Sequence, residues 1–482
     1  MTPPSLDAIV VGAGPNGLAA ALTLARAGRA VRVYEAAGTV GGGTRTQELT
    51  LPGFRHDVCS TILPLTAASP FFRTVDLAAH GVEIVHPDAP LAHALDGGRA
   101  VVLERSVAAT AAGLADGAIG DVRDTRAWRA LFGPLTRDAE KLSGELLRPV
   151  VHVPRHPLAL LRFGLPALGS ATGLVRRRFH GEGARALFAG LAAHSMLPLD
   201  RPLSASFGLV LGMYAHAVGW PMIRGGSAAV ADVLAAEVRA LGGEILTGVR
   251  VASLADLPSA RAVIFDTTPT SLAAIAGDRL PGRTRRRYHA FRYGPGVFKI
   301  DWALDGTIPW TADGLRRAAT IHLGGTIEEL RASEAAVAEG RPADRPFTLV
   351  VQYHPWDPTR APEGKTTAWA YCHVPNGSDL DMTAAIETQM ERFAPGFRDR
   401  VLARATHTAL QMEAHDANYV GGDINAGLAD IRQLLLRPIP ATDPYHAGPG
   451  LYLASSSAPP GGGVHGMSGF LAARSALRRE LR

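Results

Sequence analysis

Three glycines and one carboxylate near the N-terminus have the spacing of a grip for phosphate and ribose. They are Gly12, Gly14 and Gly17 in the run Gly12-Ala-Gly-Pro15-Asn16-Gly17, and Glu35 beyond it. Gly12 permits a tight turn, Gly14 lets backbone approach a pyrophosphate, and Gly17 lets a helix pack closely on a sheet. The free N–H groups at the start of that helix, with its positive dipole end, suit phosphate. A carboxylate about 20 residues on accepts hydrogen bonds from a ribose diol, and Glu35 would repel a 2′-phosphate.

The elements needed to position these groups are readable around them. Asp7-Ala-Ile-Val-Val11 predicts a short buried strand running into the glycines, and Leu18, Leu22 and Ala25 recur at helical spacing until Gly28. Ala30-Val-Arg-Val-Tyr34 predicts a second strand that delivers Glu35 at its end. A glycine triplet alone is a weak signal, but strand, glycine turn, helix, strand and acid together specify dinucleotide binding.

Beyond Glu35 comes Gly41-Gly42-Gly43-Thr44-Arg45. From Ile9 to Gly42 the chain resembles the FAD signature of the glutathione-reductase superfamily, and the added glycine pair resembles its amine-oxidase and phytoene-desaturase branch. That resemblance implies FAD as the cofactor, with Gly41, Gly42 and Arg45 near the pyrophosphate. Many relatives carry Arg directly after the glycine pair, whereas Gly43 and Thr44 intervene here. Thr44 and Arg45 are both cofactor-binding candidates.

A second strand, glycine loop and helix lie at the other end. Leu451 to Ala454 predicts a strand, Ser455 to Gly469 a loop, and Phe470 to Leu481 a helix with Phe470, Leu471, Ala473 and Leu477 on its apolar face. Gly461, Gly463 and Gly466 also satisfy GxGxxG, yet no strand and no acid follow, so a second nucleotide unit is not expected. In the desaturase branch a C-terminal PGGG-type loop and helix cover the flavin. The resemblance therefore implies contacts from Gly462, Gly463, Val464 and His465, and a helix dipole facing the charge that grows on flavin reduction. His465 has two readings: a group that tunes the flavin or handles a proton, or a turn residue bonded to backbone.

Between the ends, alternating helix and strand returns. Ala228 to Leu241 has a helical pattern stopped by Gly242-Gly243; Glu244 to Ala252 predicts one or two strands and Arg261 to Phe265 another, followed by Asp266-Thr267-Thr-Pro269. By resemblance this block returns to the FAD domain, with Val249 or Val251 on the adenine side; Val251 and Thr267 are the cofactor-binding candidates there. The expected fold is α/β. It has a discontinuous Rossmann-like FAD-binding domain (1–70, 221–289 and 441–482) and an α+β substrate-binding domain of mixed sheet and covering helices (71–220 and 290–440). Residues from about 70 to 220 read as helix-rich, whereas the second substrate stretch contains β-rich runs such as Gly296 to Trp302 and Thr348 to Tyr353.

Lys299, Cys59 and His465 are the catalytic candidates. Lys299 lies inside an apolar strand of a chain whose only other lysines are Lys141 and Lys365. A buried Lys is costly unless paired, so it faces the flavin or substrate, pairs with Asp301, or points to solvent. Phe54-Arg-His-Asp57-Val-Cys59 matches the place where desaturases carry an aromatic, an Asp and a glycine beside the flavin, with Cys59 where the glycine is common. A buried structural Cys is the alternative.

Composition bounds the rest. The 482 residues are 47% hydrophobic and 19% charged with net charge +5, which fits a two-domain globular enzyme and gives no reason to expect nucleic acid. Cys59 and Cys372 are far apart, so neither a disulfide scaffold nor a metal spacing is present, and a reducing, cytoplasmic setting fits. Met1 to Asp7 lack a basic leader region, and no run of about 20 apolar residues predicts a spanning helix. The apolar stretch from Pro157 to Val175 with Arg176 to Arg178 at its edge has two readings, a peripheral membrane contact or a buried roof helix with a solvated arginine cluster.

One dinucleotide site implies direct electron flow from substrate to FAD. The expected reaction removes hydride from a largely apolar small molecule to flavin N5, forming a C=C or C=N bond, with oxygen or a quinone as acceptor. Disulfide reductases need a redox Cys pair that is missing. Isomerases using reduced FAD, and lipid-binding chaperones of the GDP-dissociation-inhibitor type, share the resemblance and stand as alternatives.

Overall fold

The computed structural model describes residues 6–482; the first residues of the stretch weighed as a leader, 1–5, lie outside it. The N-terminal elements are β1 (Leu6–Val11), α1 (Pro15–Arg26) and β2 (Val31–Tyr34). Next come β3 (Ala89–Leu95), β4 (Arg99–Leu103), α2 (Pro157–Ala167), α3 (Ala171–Arg178), α4 (Glu182–Ala193) and α5 (Ser204–Ala217). The chain continues through α6 (Ala228–Ala240), β5 (Glu244–Leu246), β6 (Ala260–Phe265), β7 (Gly296–Leu304), β8 (Ala318–Leu323) and α7 (Ile327–Ala338). It ends with β9 (Thr348–Gln352), β10 (Thr366–Val374), β11 (Val401–His407), β12 (His446–Gly448), β13 (Leu451–Leu453) and α8 (Met467–Arg479).

One sheet has the order β12-β13-β6-β1-β2-β5. Its strands run parallel except for the β12–β13 hairpin. Parallel strands covered on both faces are continuously apolar, and Ala8, Ile9 and Val10 are fully buried. Pro15 opens α1, where its missing N–H costs nothing. Helix α8 lies directly on α1 because Gly469 has no side chain: a Cβ there would sit 1.7 Å from the Asn16 carbonyl oxygen. This contact joins the two ends of the chain.

The second sheet has the order β11-β7-β10-β9-β8-β3-β4 and is antiparallel except between β8 and β3. Strands β3 and β4 arise in the stretch whose composition predicts helix. Ala89 to Leu95 is buried along its whole length, so its sequence lacks the polar alternation that marks a half-exposed strand. The expected second strand after Glu244 also ends early, at Leu246, and Val249 to Val251 continue without a ladder.

Among the described residues no single helix is long and apolar enough to cross a membrane; α2 and α3 meet at a bend of 98°. Helix α2 turns Ala159, Phe163 and Ala167 inward, while Leu158, Leu161 and Leu165 are 70%, 55% and 67% exposed. It is thus not the buried roof helix of that alternative, because one apolar face stays uncovered.

Candidate functional site: a dinucleotide cleft facing a sheet

A cleft of about 430 Å³ opens at the C-terminal edge of the first sheet, where Val11, Tyr34 and Asp266 end or follow β1, β2 and β6. That edge is where open α/β sheets bind ligands. Gly12 turns there with φ +102°, and a Cβ on it would meet the Asp266 carbonyl oxygen at 2.7 Å. Gly17 approaches the Gly12 carbonyl so closely that a Cβ would lie 2.1 Å away. Gly14, Pro15 and Asn16 line the cleft at the start of α1.

Glu35 is buried at one end of this cleft. Its carboxylate accepts the Ala13 N–H at 2.7 Å and the Ala37 N–H at 2.8 Å, and Arg45 Nη2 reaches it at 3.2 Å. Arg45 also donates to the Thr39 carbonyl, which answers how an arginine displaced by Gly43 and Thr44 still returns to the site. Ala36, Val249, Arg250 and Val251 complete this end, with Thr267 beside Asp266 and Gly42, Thr44 and Arg45 along the middle. Gly41 braces the loop from behind, its N–H donating to the Ala13 carbonyl at 2.8 Å.

Three buried polar atoms of lining residues have no protein partner, Asn16 Oδ1, His415 Nε2 and Ser457 Oγ. Buried polar groups are nearly always satisfied, so these three atoms are available to a ligand's polar groups. The cleft also holds the carboxyls of Glu35, Asp266 and Asp416. Asp266 accepts the Gly17 N–H at 2.8 Å. Burial, together with Asp416 and Glu35, pushes its carboxyl up to about 7.

At the opposite end lie Cys59, Ser60, Tyr419, Ile424, Gly463 and Val464. Burial raises the Cys59 thiol above its ordinary value, so it is not an activated thiolate. Gly463 takes φ +114° here. Gly462 packs against Asn425 instead. His465 requires a correction. It is fully buried outside the lining, its Nε2 pairs with the Gly461 carbonyl at 3.0 Å, and its Nδ1 accepts the Met467 N–H at 3.0 Å. With both ring nitrogens committed to backbone, it shapes the loop and does not reach the cleft.

Lys299 is buried on β7 and ion-paired with Asp301, its Nζ 5.2 Å from the Trp369 ring centre. The solvent-facing alternative is thereby removed. Burial pushes Asp301 up to about 6, against the pull of Lys299. Strand pairing sets His407, Lys299, Tyr371, Leu349, His322 and His93 side by side across the sheet. Lys299 does not line the cleft, yet its charge acts on Cys59, which does.

Asp57 ties the segments around Thr46 and Thr61 to the start of α6 and to the turn bearing Arg360. It accepts from Thr46 at 2.7 Å, Thr61 at 2.9 Å and the Ser227 N–H at 3.0 Å, and pairs with Arg360 at 3.0 Å. Arg360 in turn stacks 4.3 Å from Tyr353. Although burial opposes it, Arg360 holds the Asp57 carboxyl below the usual range. The segment Ala414 to Tyr419, which also lines the cleft, has no signal in the sequence. It reaches the cleft through side-chain contacts such as Asn418 Oδ1 accepting the Thr268 N–H at 3.1 Å.

The NAD(P)-binding Rossmann-like domain family matches residues 10–76. Pyridine nucleotide-disulfide oxidoreductase domain-containing protein 2 of Mus musculus is 26% identical over 98% of this chain and 94% of its own length. One of the subunits of limonene dehydrogenase from Castellaniella defragrans is 35% identical, but over 20% of this chain and 17% of its own. Among solved structures, putrescine oxidase bound to putrescine superposes with TM-score 0.61 at 16% identity, covering 99% of both chains. An oxidoreductase from Methanosarcina mazei gives TM-score 0.63 at 18% identity, covering 98% of this chain and 100% of that one. At such identity the likeness shows the fold. The ribose carboxylate, the pyrophosphate turn and the closing C-terminal loop fit this cleft to FAD, on a two-sheet fold shared with putrescine oxidase.

Proposed function

We propose that this chain is an FAD-dependent oxidoreductase that removes a hydride from a largely apolar organic substrate, leaving a C=C or C=N bond. One observation carries the reading: the cleft that fits FAD ends beside a sheet face bearing Lys299, Trp369 and Tyr371, with Cys59 and Tyr419 between. FAD supplies the hydride acceptor when bound. The chain does the rest. Glu35 and the Gly12–Gly17 turn hold the adenosine and pyrophosphate, the Gly463–Val464 loop closes over the flavin, and the sheet face excludes water. Lys299, ion-paired with Asp301, stands on the sheet face near the flavin end.

The relatives' names guide but do not decide the chemistry. Disulfide exchange needs paired thiols, whereas Cys59 and Cys372 are both free. Phytoene-dehydrogenase-like oxidation, amine oxidation and flavin-dependent isomerisation remain distinct outcomes of one experiment. The purified protein is expected to be yellow with a flavin spectrum. Anaerobic mixing with terpenoid, polyene and amine panels should bleach it for a substrate oxidised; product formation only after the flavin has first been reduced, with no net reoxidation, marks isomerisation, and a colourless protein that ignores FAD refutes the proposal. Reoxidation by oxygen or a quinone then identifies the acceptor.

A peripheral membrane contact is proposed for α2. Its support is the exposed Leu158, Leu161 and Leu165 beside Arg162, with Arg176 to Arg178 close in sequence. Cosedimentation with anionic but not neutral vesicles is the expected result.

A further inference from the structure

A second cavity, of about 700 Å³, lies in the substrate-binding half of the fold. It is walled by the α4–α5 connection (Met196, Leu197, Pro198, Arg201), the approach to β7 (Tyr293, Pro295), the end of α7 (Val337, Ala338) and Leu428 with Ile431. Its size is that of a small-molecule site, and its lining is largely apolar.

The partition between this cavity and the FAD cleft is thin and strained. Met196 lines the cavity and packs with Val297, Met412, Tyr371, Tyr419 and Ile424; the last two line the FAD cleft. Ile424 and Ala426 face the cleft, while Leu428 faces the cavity. Tyr293 bonds Thr270 at 2.8 Å, which bonds the cleft residue Thr268 at 3.1 Å. Among the described residues only Met196, Leu203 and Ala426 are non-glycine residues with positive φ, at 53°, 71° and 57°. Two stand on the partition and Leu203 directly follows Pro202 of the cavity wall. Such conformations persist where structure over-determines them, and they gather at functional sites.

The charges give the cavity a direction. Met196, at the flavin side, is buried, whereas Arg201 is exposed and makes no ion pair among the described residues. The cavity's acid, Asp430, is already paired with Arg292. We infer that this cavity is the substrate's approach to the flavin, and that it takes an elongated apolar molecule with an anionic end, the chain lying toward Met196 and the anion at Arg201. The inference rests on the FAD reading for its function, but not for the binding itself.

The test uses the holoenzyme with dodecanoate and dodecyltrimethylammonium as probes, read by calorimetry and by the flavin difference spectrum. Dodecanoate should bind saturably, perturb the flavin spectrum, and bind about tenfold or more tightly than the cationic probe, the scale of one charge-assisted contact. Ala338 is exposed on the wall, so Ala338→Trp should fold, keep its FAD, and weaken dodecanoate by about tenfold or more. Arg201→Ala should remove the preference for the anion. Absence of binding, equal affinity for both probes, or unchanged affinity in both variants would overturn the inference. A colourless protein that still binds dodecanoate with these preferences would keep the cavity assignment and remove the flavin reading alone.

Discussion

The two ends of the chain carry the same glycine spacing and do different work. Gly12, Gly14 and Gly17 turn β1 into α1 with the helix start on the cleft, and β2 then delivers Glu35 to the far side. Gly461, Gly463 and Gly466 turn toward α8, but His465 spends both ring nitrogens inside that turn, and Gly469 presses α8 onto α1. The first unit binds; the second closes. The difference teaches that a glycine pattern specifies backbone freedom, and that neighbouring elements decide what the freedom is for.

Breaking the first unit should have the largest effect. Gly12→Val places a side chain against the Asp266 carbonyl at a φ of +102°, so the protein should purify without flavin, measured as the flavin-to-protein ratio. Gly469→Ala is the matched lesion in the second unit. Its Cβ would overlap the Asn16 carbonyl, and it should cost about 1–3 kcal/mol of stability in thermal or urea unfolding as α8 lifts from α1. Loss of colour with undiminished stability in Gly469→Ala would erase the contrast.

Glu35→Gln should weaken FAD by about tenfold to a hundredfold, the worth of a hydrogen bond to a charged group, measured by titrating apoprotein with FAD.

Asp266 sharpens the comparison through pH. Its folded carboxyl titrates at about 7, above the ordinary value, because burial and the neighbouring acids disfavour its charge. The folded state therefore binds this proton more tightly than the unfolded one, and stability from this group falls as pH rises from about 4 to 7. The pyrophosphate adds negative charge, so FAD affinity should fall above pH 7 by up to about tenfold per unit. Asp266→Asn should flatten that dependence; an unchanged slope would free Asp266 from the role.

The smallest effect is expected at His465. His465→Asn should cost about 1–2 kcal/mol in unfolding experiments through its two lost bonds, with the flavin reduction potential unmoved. A shifted potential would restore the flavin-tuning reading that the geometry replaces.

Some of this site is legible in the sequence, and the reason is local. The turn at Gly12, the helix start at Pro15 and the acid after Tyr34 are set by φ preferences, missing N–H groups and short-range periodicity. The second unit is legible as an element but not in detail, because whether His465 reaches the cleft depends on how its own loop folds. Strands β3 and β4 are hidden for a different reason. β3 is buried on both faces and so has no alternation, and one of its partners, β8, lies far along the chain; β4, a short edge strand, pairs with β3 alone.

The amino-acid sequence by itself determined the nucleotide grip, the cofactor class and the β-rich character around Lys299. Only the tertiary structure decided that Asp57 pairs with Arg360, that Tyr419 and Asp416 enter the cleft, and that a second cavity meets it behind Met196. Backbone chemistry acts within a few residues and so leaves a pattern in sequence, whereas these contacts depend on segments hundreds of positions apart arriving at one place.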